Sequence, residues 1–272
     1  MDKASWGGVA LGLGGVVGGL LLEGGSLSQV LQPTAAMIVF GGTAGAVLIQ
    51  FPLPVVVKAV RRLAQVFWQP KHNPREIVRE LVNYANRARR EGIVALDTEL
   101  SHIEEPFLKK SLMLAVDGTE PQELRAMMEL ELQNQADHED KIPQVFESAG
   151  GFSPTIGIIG AVMGLIQVMQ HLDKIDEVGR GIAVAFVATI YGVGAANLFL
   201  LPSAGKLRIR IREEQVLREM TLEGVVSILE GMNPRMLETR LLGFLPEDRS
   251  ELESKPASET DTELESQAEA LP

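Results

Sequence analysis

The chain of 272 residues contains no cysteine. That excludes disulfides, thiolate-bound zinc, iron–sulfur clusters and thiol nucleophiles. Its four histidines, His72, His102, His138 and His171, stand at no ligand spacing such as HExxH. There is no GxxxxGK[ST] phosphate loop. "GLGGVVG" has Val17 where a dinucleotide fingerprint needs its third glycine, and no strand pattern precedes it. Neighbouring acids, Glu104/Glu105 and Asp137/Glu139/Asp140, sit in polar helical stretches with no apolar pocket to shift a carboxyl pKa, so they read as solvated faces. Aromatics make up only 5% of the chain, whereas glycine is plentiful at 27 residues. Nothing in this inventory requires covalent chemistry or a cofactor, and the chain does not read as an enzyme.

The most telling absence is local. Four long stretches lack every formal charge: "ASWGGVALGLGGVVGGLLL" (residues 4–22), "TAAMIVFGGTAGAVLIQFPLPVVV" (34–57), "GFSPTIGIIGAVMGLIQVM" (151–169) and "GIAVAFVATIYGVGAANLFLLP" (181–202). A membrane crossing takes about 20 apolar residues, and one charge at mid-membrane costs about 2.5–3.5 kcal/mol on insertion scales. The expected fold is therefore all-α, a polytopic membrane protein with four transmembrane helices. The first stretch is studded with glycine and lacks a signal peptide's short apolar core and cleavage site, so it reads as a retained span.

Charge sets the expected direction. Lys58, Arg61, Arg62, Lys71, Arg75, Arg79, Arg87, Arg89 and Arg90 follow the second span, against only Glu76 and Glu80. Lys206, Arg208, Arg210 and Arg212 follow the fourth. The positive-inside rule then places both termini and the large middle segment in the cytoplasm. The rule also accounts for the basic run without nucleic acid. The expected organisation is spans one and two in residues 1–53, a helical cytoplasmic lobe in 54–150, spans three and four in 151–202, and a cytoplasmic helix closing the lobe in 203–245. Residues 246–272 carry nine acids against two bases, a net −7 of the chain's −11. This composition predicts a disordered acidic tail. Within the lobe, "NPREIVRELVNYANRARREG" has Asn73 as cap, Pro74 in the first turn, Ile77, Leu81, Tyr84 and Ala88 on one face, and Gly92 as stop. A second long helix is expected across residues 120–150, with Pro143 inside it.

Small residues recur at four-residue spacing: Gly8/Gly12, Gly14/Gly18, Gly15/Gly19, Gly41/Gly45 and Gly160/Gly164. Such spacing lets helices approach closely in lipid. Pro154, Thr155, Thr189 and Pro202 lie in or at the ends of spans three and four. Two readings stand for them. Threonine can bond its own helix backbone while neighbours satisfy the proline gap, or the group can line an ion path.

"GGFSPTIGIIGAVMGL" and "GIAVAFVATIYGVGAANLFLLPSAGKL" resemble the A-subunit family of bacterial flagellar stators, MotA, PomA and their relatives. The resemblance runs from span one to about residue 234 and leaves out the acidic tail. The third-span motif alone is shared with the ExbB/TolQ proton-channel proteins, energisers of outer-membrane systems, which normally have three spans. The resemblance implies that the missing charge comes from a partner. A MotB-like B-subunit would supply a transmembrane Asp, and five A-subunits would form a ring around two such helices. It further implies that Pro154 and Pro202 couple ion flow to shape change, that Thr189 lies on the ion path with Thr155 near Pro154, and that the lobe meets the rotor protein FliG through Arg89, Arg90, Asp97 and Glu99. Sodium-type members carry a second threonine in span three. Here that position is Ala161, which favours protons, because sodium wants several oxygen ligands. The function so implied is a motility stator that conducts ions and delivers torque. The alternatives are an ExbB/TolQ-like energiser and a structural membrane scaffold.

Overall fold

The computed structural model describes residues 2–68, 73–170, 172 and 175–245. Among them every regular element is helical. The acidic tail expected from residue 246 onward lies outside the described residues, as do Lys71, His72 and His171.

Four helices are long and apolar enough to cross a membrane: Lys3–Leu22, Pro33–Gln50, Pro121–Gln170 and Val178–Leu229. The first, α1 (Lys3–Leu22), begins at Asp2, whose carboxylate accepts from the N–H groups of Ala4 and Ser5 at 3.1 and 3.3 Å. Those donors have no partner inside the helix, so the cap is stabilising. A turn at Gly24, with φ at +81°, reverses the chain after it.

The second span, α2 (Pro33–Gln50), contains a π-helical turn over Met37–Gly41. The charge-free block runs on to Val57, but the helix ends at Gln50. Phe51 is extended, φ −120° and ψ 141°, because the residue before a proline is pushed out of the α region. The span is thus shorter than the block. Beyond Pro52, α3 (Leu53–Arg62) buries Ala59 and ends on Arg61 and Arg62.

The lobe begins with α4 (Pro74–Glu91), built as its sequence predicts. The Asn73 side chain accepts from the Arg75 N–H at 3.1 Å, and Gly92 ends the helix at φ +86°. Leu81 and Tyr84 are buried, and Ile77 and Ala88 pack against the same core. A 3₁₀ segment (Ile93–Glu99) and α5 (Pro106–Val116) follow. The lobe core gathers Leu81, Leu96, Leu112, Leu124, Met128, Met220, Val225 and Leu237. Each buried leucine contributes roughly 2 kcal/mol by area.

Two long helices join lobe to membrane. α6 (Pro121–Gln170) runs for 50 residues, from the lobe through the third span, with Pro143 and Pro154 inside it. α7 (Ile175–Ala195) continues through a π-helical turn (Ala196–Leu200) into α8 (Leu201–Leu229), which re-enters the lobe before α9 (Pro234–Leu242). No loop interrupts either connection, so displacement of a span is carried into the lobe by helix.

Ion pairs lock the junction. Glu139 on α6 is buried and meets Arg62 at 3.0 Å and Arg218 at 3.4 Å, and Arg62 also reaches Glu214 at 3.0 Å. This network joins α3, α6 and α8. Nearby, Asp2 pairs with Lys206 and Arg210 of α8.

Candidate ion path and exposed lobe charges

Spans three and four pack antiparallel along a seam of small residues. A Cβ placed on Gly157 would sit 2.9 Å from the Ala188 carbonyl oxygen, and one on Gly164 would sit 2.9 Å from that of Gly181. One on Gly192 would lie 2.6 Å from the Ser153 carbonyl oxygen and 3.2 Å from the Pro154 Cα. One on Gly150 would strike the Leu201 side chain at 2.6 Å. Glycine is required here because the opposing backbones leave no room for a side chain, the arrangement that small-residue spacing favours in lipid. The Gly160/Gly164 pair lies in this seam. Of the other spaced glycines, a Cβ on Gly12 would lie 3.3 Å from the Leu198 side chain, whereas one on Gly8, Gly14, Gly15, Gly18, Gly19, Gly41 or Gly45 would meet nothing within 4 Å among the described residues.

The seam brings some of the sequence-predicted residues together. Pro154 is half-buried and faces Gly192. Thr189 is half-buried, its Cα within 3.5 Å of a Cβ on Gly157, and its hydroxyl donates to the Ala185 carbonyl at 3.3 Å. Thr155 is exposed, and its hydroxyl donates to the Phe152 carbonyl at 2.8 Å. In both threonines the proton is committed to the helix, so the oxygen presents lone pairs outward as an acceptor. Ala161 is half-buried one and three-quarter turns beyond Thr155. Pro202 is exposed, two residues past the π-helical turn Ala196–Leu200. A proline has no N–H and its ring clashes with the carbonyl four residues back. The wider π turn accommodates that clash at Leu198.

Asn197 was not singled out by the sequence reading. It is exposed, and its Nδ2 donates to the Val193 carbonyl at 2.9 Å. Thr189, Val193 and Asn197 are spaced by four along span four, so its amide follows the Thr189 hydroxyl two turns further along the helix. The signal was available: it is the one amide in the fourth charge-free block.

In the lobe the four expected surface charges divide. Arg89 and Arg90 occupy the last turn of α4, exposed and without an ion pair among the described residues. Their position suits the negative end of the helix dipole. Asp97 is likewise exposed. Glu99 is half-buried and pairs with Arg87, which also holds Glu91 at 3.2 Å. The pairing partner, Arg87, was not among the expected site residues.

Comparison with known proteins agrees with this architecture. Residues 99–220 match the MotA/TolQ/ExbB proton channel family, and residues 6–92 match the motility protein A N-terminal family. Motility protein A of Bacillus subtilis strain 168 is 38% identical over 250 residues, covering 90% of this chain and 92% of its own. A chain of the flagellar MotAB stator complex from Bacillus subtilis superposes with a TM-score of 0.83 at 35% identity, covering 93% of this chain and 100% of that one. A chain of C. jejuni MotAB gives 0.86 at 31% identity, over 91% and 97%.

Proposed function

The chain belongs to the motility protein A family, and from that premise we propose how its residues serve ion flow and torque. It is a multi-pass inner-membrane subunit of the flagellar motor stator, which conducts ions and converts their flow into work on the rotor.

The partner is a MotB-like B-subunit that carries a transmembrane Asp, and five copies of this chain surround two such helices. Spans three and four face that carboxylate. Their charge-free walls strip it of water, which raises its affinity for a proton. Thr189, with its hydroxyl hydrogen committed to Ala185, offers an oxygen to a hydrated proton on its way to the carboxylate. Thr155 offers a second oxygen at the other helix. Ala161 supplies no such ligand, and the conducted ion is a proton. Swimming that collapses on sodium removal, at constant proton-motive force, would overturn that assignment.

Neutralising the borrowed carboxylate removes a charge from the seam. Spans three and four then shift against each other, which glycine faces permit because no side chains interlock across them. Pro154 and Pro202 are the compliant points. The unbroken α6 and α8 deliver the displacement to the lobe, where Arg89, Arg90 and Asp97 meet FliG. Both termini lie in the cytoplasm.

The observation that carries this reading is the seam itself, which sets Pro154 against Gly192 and Thr189 against Gly157 on two helices that continue into the lobe. The test is substitution. Thr189→Ala and Pro202→Leu should each abolish swimming at normal membrane levels, whereas a scaffold would tolerate both.

A further inference from the structure

Two hydroxyls in the membrane region behave unlike the rest. Thr155 and Thr189 each donate to a carbonyl three or four residues back on their own helix. Thr43 on span two and Ser153 on span three do not, and neither hydroxyl finds a partner among the described residues. They are more enclosed than Thr155, which is exposed, and Thr189, which is half-buried. Ser153 is 0% and Thr43 7% exposed. An unmet polar group in an apolar interior costs on the order of 1–3 kcal/mol, so two near one another point to something that satisfies both.

The packing of spans two and three brings them near one another. A Cβ on Gly160 would lie 3.3 Å from Ile38, and one on Gly42 would lie 2.8 Å from Ile156. These two contacts fix an antiparallel register between spans two and three, and that register sets Thr43 opposite Thr155, two residues or about 3 Å along the axis from Ser153. Around span three, Ser153 falls between the side facing span two (Ile156, Gly160) and the side facing span four (Gly150, Gly157, Gly164). Gly192 of span four closes the third side against the Ser153 backbone. A third acceptor lies on the same helix as Ser153. Pro154 has no N–H, so the Gly150 carbonyl loses its usual donor four residues on.

We propose that Thr43, Ser153 and the Gly150 carbonyl bind a single internal water at the junction of spans two, three and four. Its chemistry fits all three groups. The water donates one hydrogen to the Gly150 oxygen and accepts from the Thr43 and Ser153 hydroxyls. Buried waters typically make about three such bonds. A side chain from another subunit does not reach groups this enclosed. A cation does not suit them either, since the charge-free spans around the site supply no carboxylate to offset its desolvation. The site lies beneath Pro154, and if Pro154 is the compliant point argued above, the water is what lets the helix flex there without exposing a bare carbonyl to lipid.

The experiment is a structure of the A–B complex in lipid at a resolution that shows ordered water, paired with a thermal-unfolding cycle over Thr43→Val, Ser153→Ala and the double variant. Expected is one density at about 2.7–3.0 Å from both hydroxyl oxygens. In the cycle, the second substitution should shift the melting temperature by less than half of what it does alone, because the first has already released the water. Hydroxyls bonded directly to helix carbonyls with no density between them, a density ringed by five or more oxygens at the roughly 2.4 Å of a cation, or strictly additive melting shifts would each overturn the proposal. The stator reading is judged separately, by motility, and a dry junction in a torque-generating protein rejects the water alone.

Discussion

Lys206 Nζ lies 2.6 Å from the Asp2 carboxylate, and Arg210 Nη2 lies 3.0 Å from the same oxygen. Asp2 thereby does two things at once. It caps span one and ties that span to α8 one turn beyond Pro202, at the point where the fourth span becomes the lobe. The Asp2 N–H donates to the Phe67 carbonyl at 2.9 Å, and Trp6 lies against the Phe67 ring, so the anchor is threefold.

The hydrogen bond from Lys206 holds the Asp2 carboxyl at about 2, below its ordinary 3.8. A depressed carboxyl pKa stabilises the fold at every pH above the unfolded value, and the stabilisation is lost as pH falls through the folded one. Asp2→Asn should therefore melt below the parent protein by a constant margin above pH 3.8, and the margin should close between 3.8 and about 2. Thermal unfolding of the purified complex at stepped pH checks it.

Glu139 is buried between two guanidiniums, and removing it leaves Arg62 and Arg218 to share Glu214, at 3.0 and 3.8 Å. Glu139→Ala should destabilise the protein, by less than the roughly 3–5 kcal/mol of breaking a buried pair with no second partner. Denaturant unfolding reads the loss. An unchanged midpoint would mean that the network contributes nothing to the junction.

Gly192→Ala places a methyl 2.6 Å from the Ser153 carbonyl oxygen, against backbone that cannot yield. Overpacking of this kind costs about 1–3 kcal/mol, and the variant should accumulate less assembled complex on native gels. Gly194→Ala, where nothing lies within 4 Å, is the control and should assemble normally.

Arg87 and Arg89 should separate cleanly although two residues apart. Arg87 is committed to Glu99 and Glu91, so Arg87→Ala should lower the melting temperature of the lobe. Arg89 makes no ion pair among the described residues. Arg89→Glu should leave melting unchanged and reduce torque in tethered cells. Equal melting losses in both would remove Arg89 from the rotor-facing set.

The spans were legible because membrane insertion is decided by local composition, and charge-free blocks of this length have few other uses. Asn73, Pro74 and Gly92 announced α4 for a similar reason: caps act within one turn. Hydropathy alone does not mark the end of span two, because it continues past Pro52 while backbone sterics at Phe51 stop the helix. The glycine seam was half legible. Spacing marked Gly160 and Gly164, but Gly157, Gly181 and Gly192 join them only through a partner helix distant in sequence. Glu99 looked like a free surface charge because its pairing with Arg87 depends on the 3₁₀ segment folding back on α4. Ser153 gave no sign at all. Its isolation comes from three helices meeting, which no local pattern encodes.

The central claim is that this chain powers rotation by ion flow through its third and fourth spans. The most direct measurement removes every stator pair from a flagellated cell, restores this chain with its B-subunit alone, and scores swimming against filament number. The account predicts intact but paralysed filaments in the deletion, swimming restored by the parent chain, and paralysis again with Thr189→Ala at equal membrane level. Swimming by the Thr189→Ala and Pro202→Leu proteins alike, or filaments that stay motionless with the parent pair correctly assembled, would contradict it.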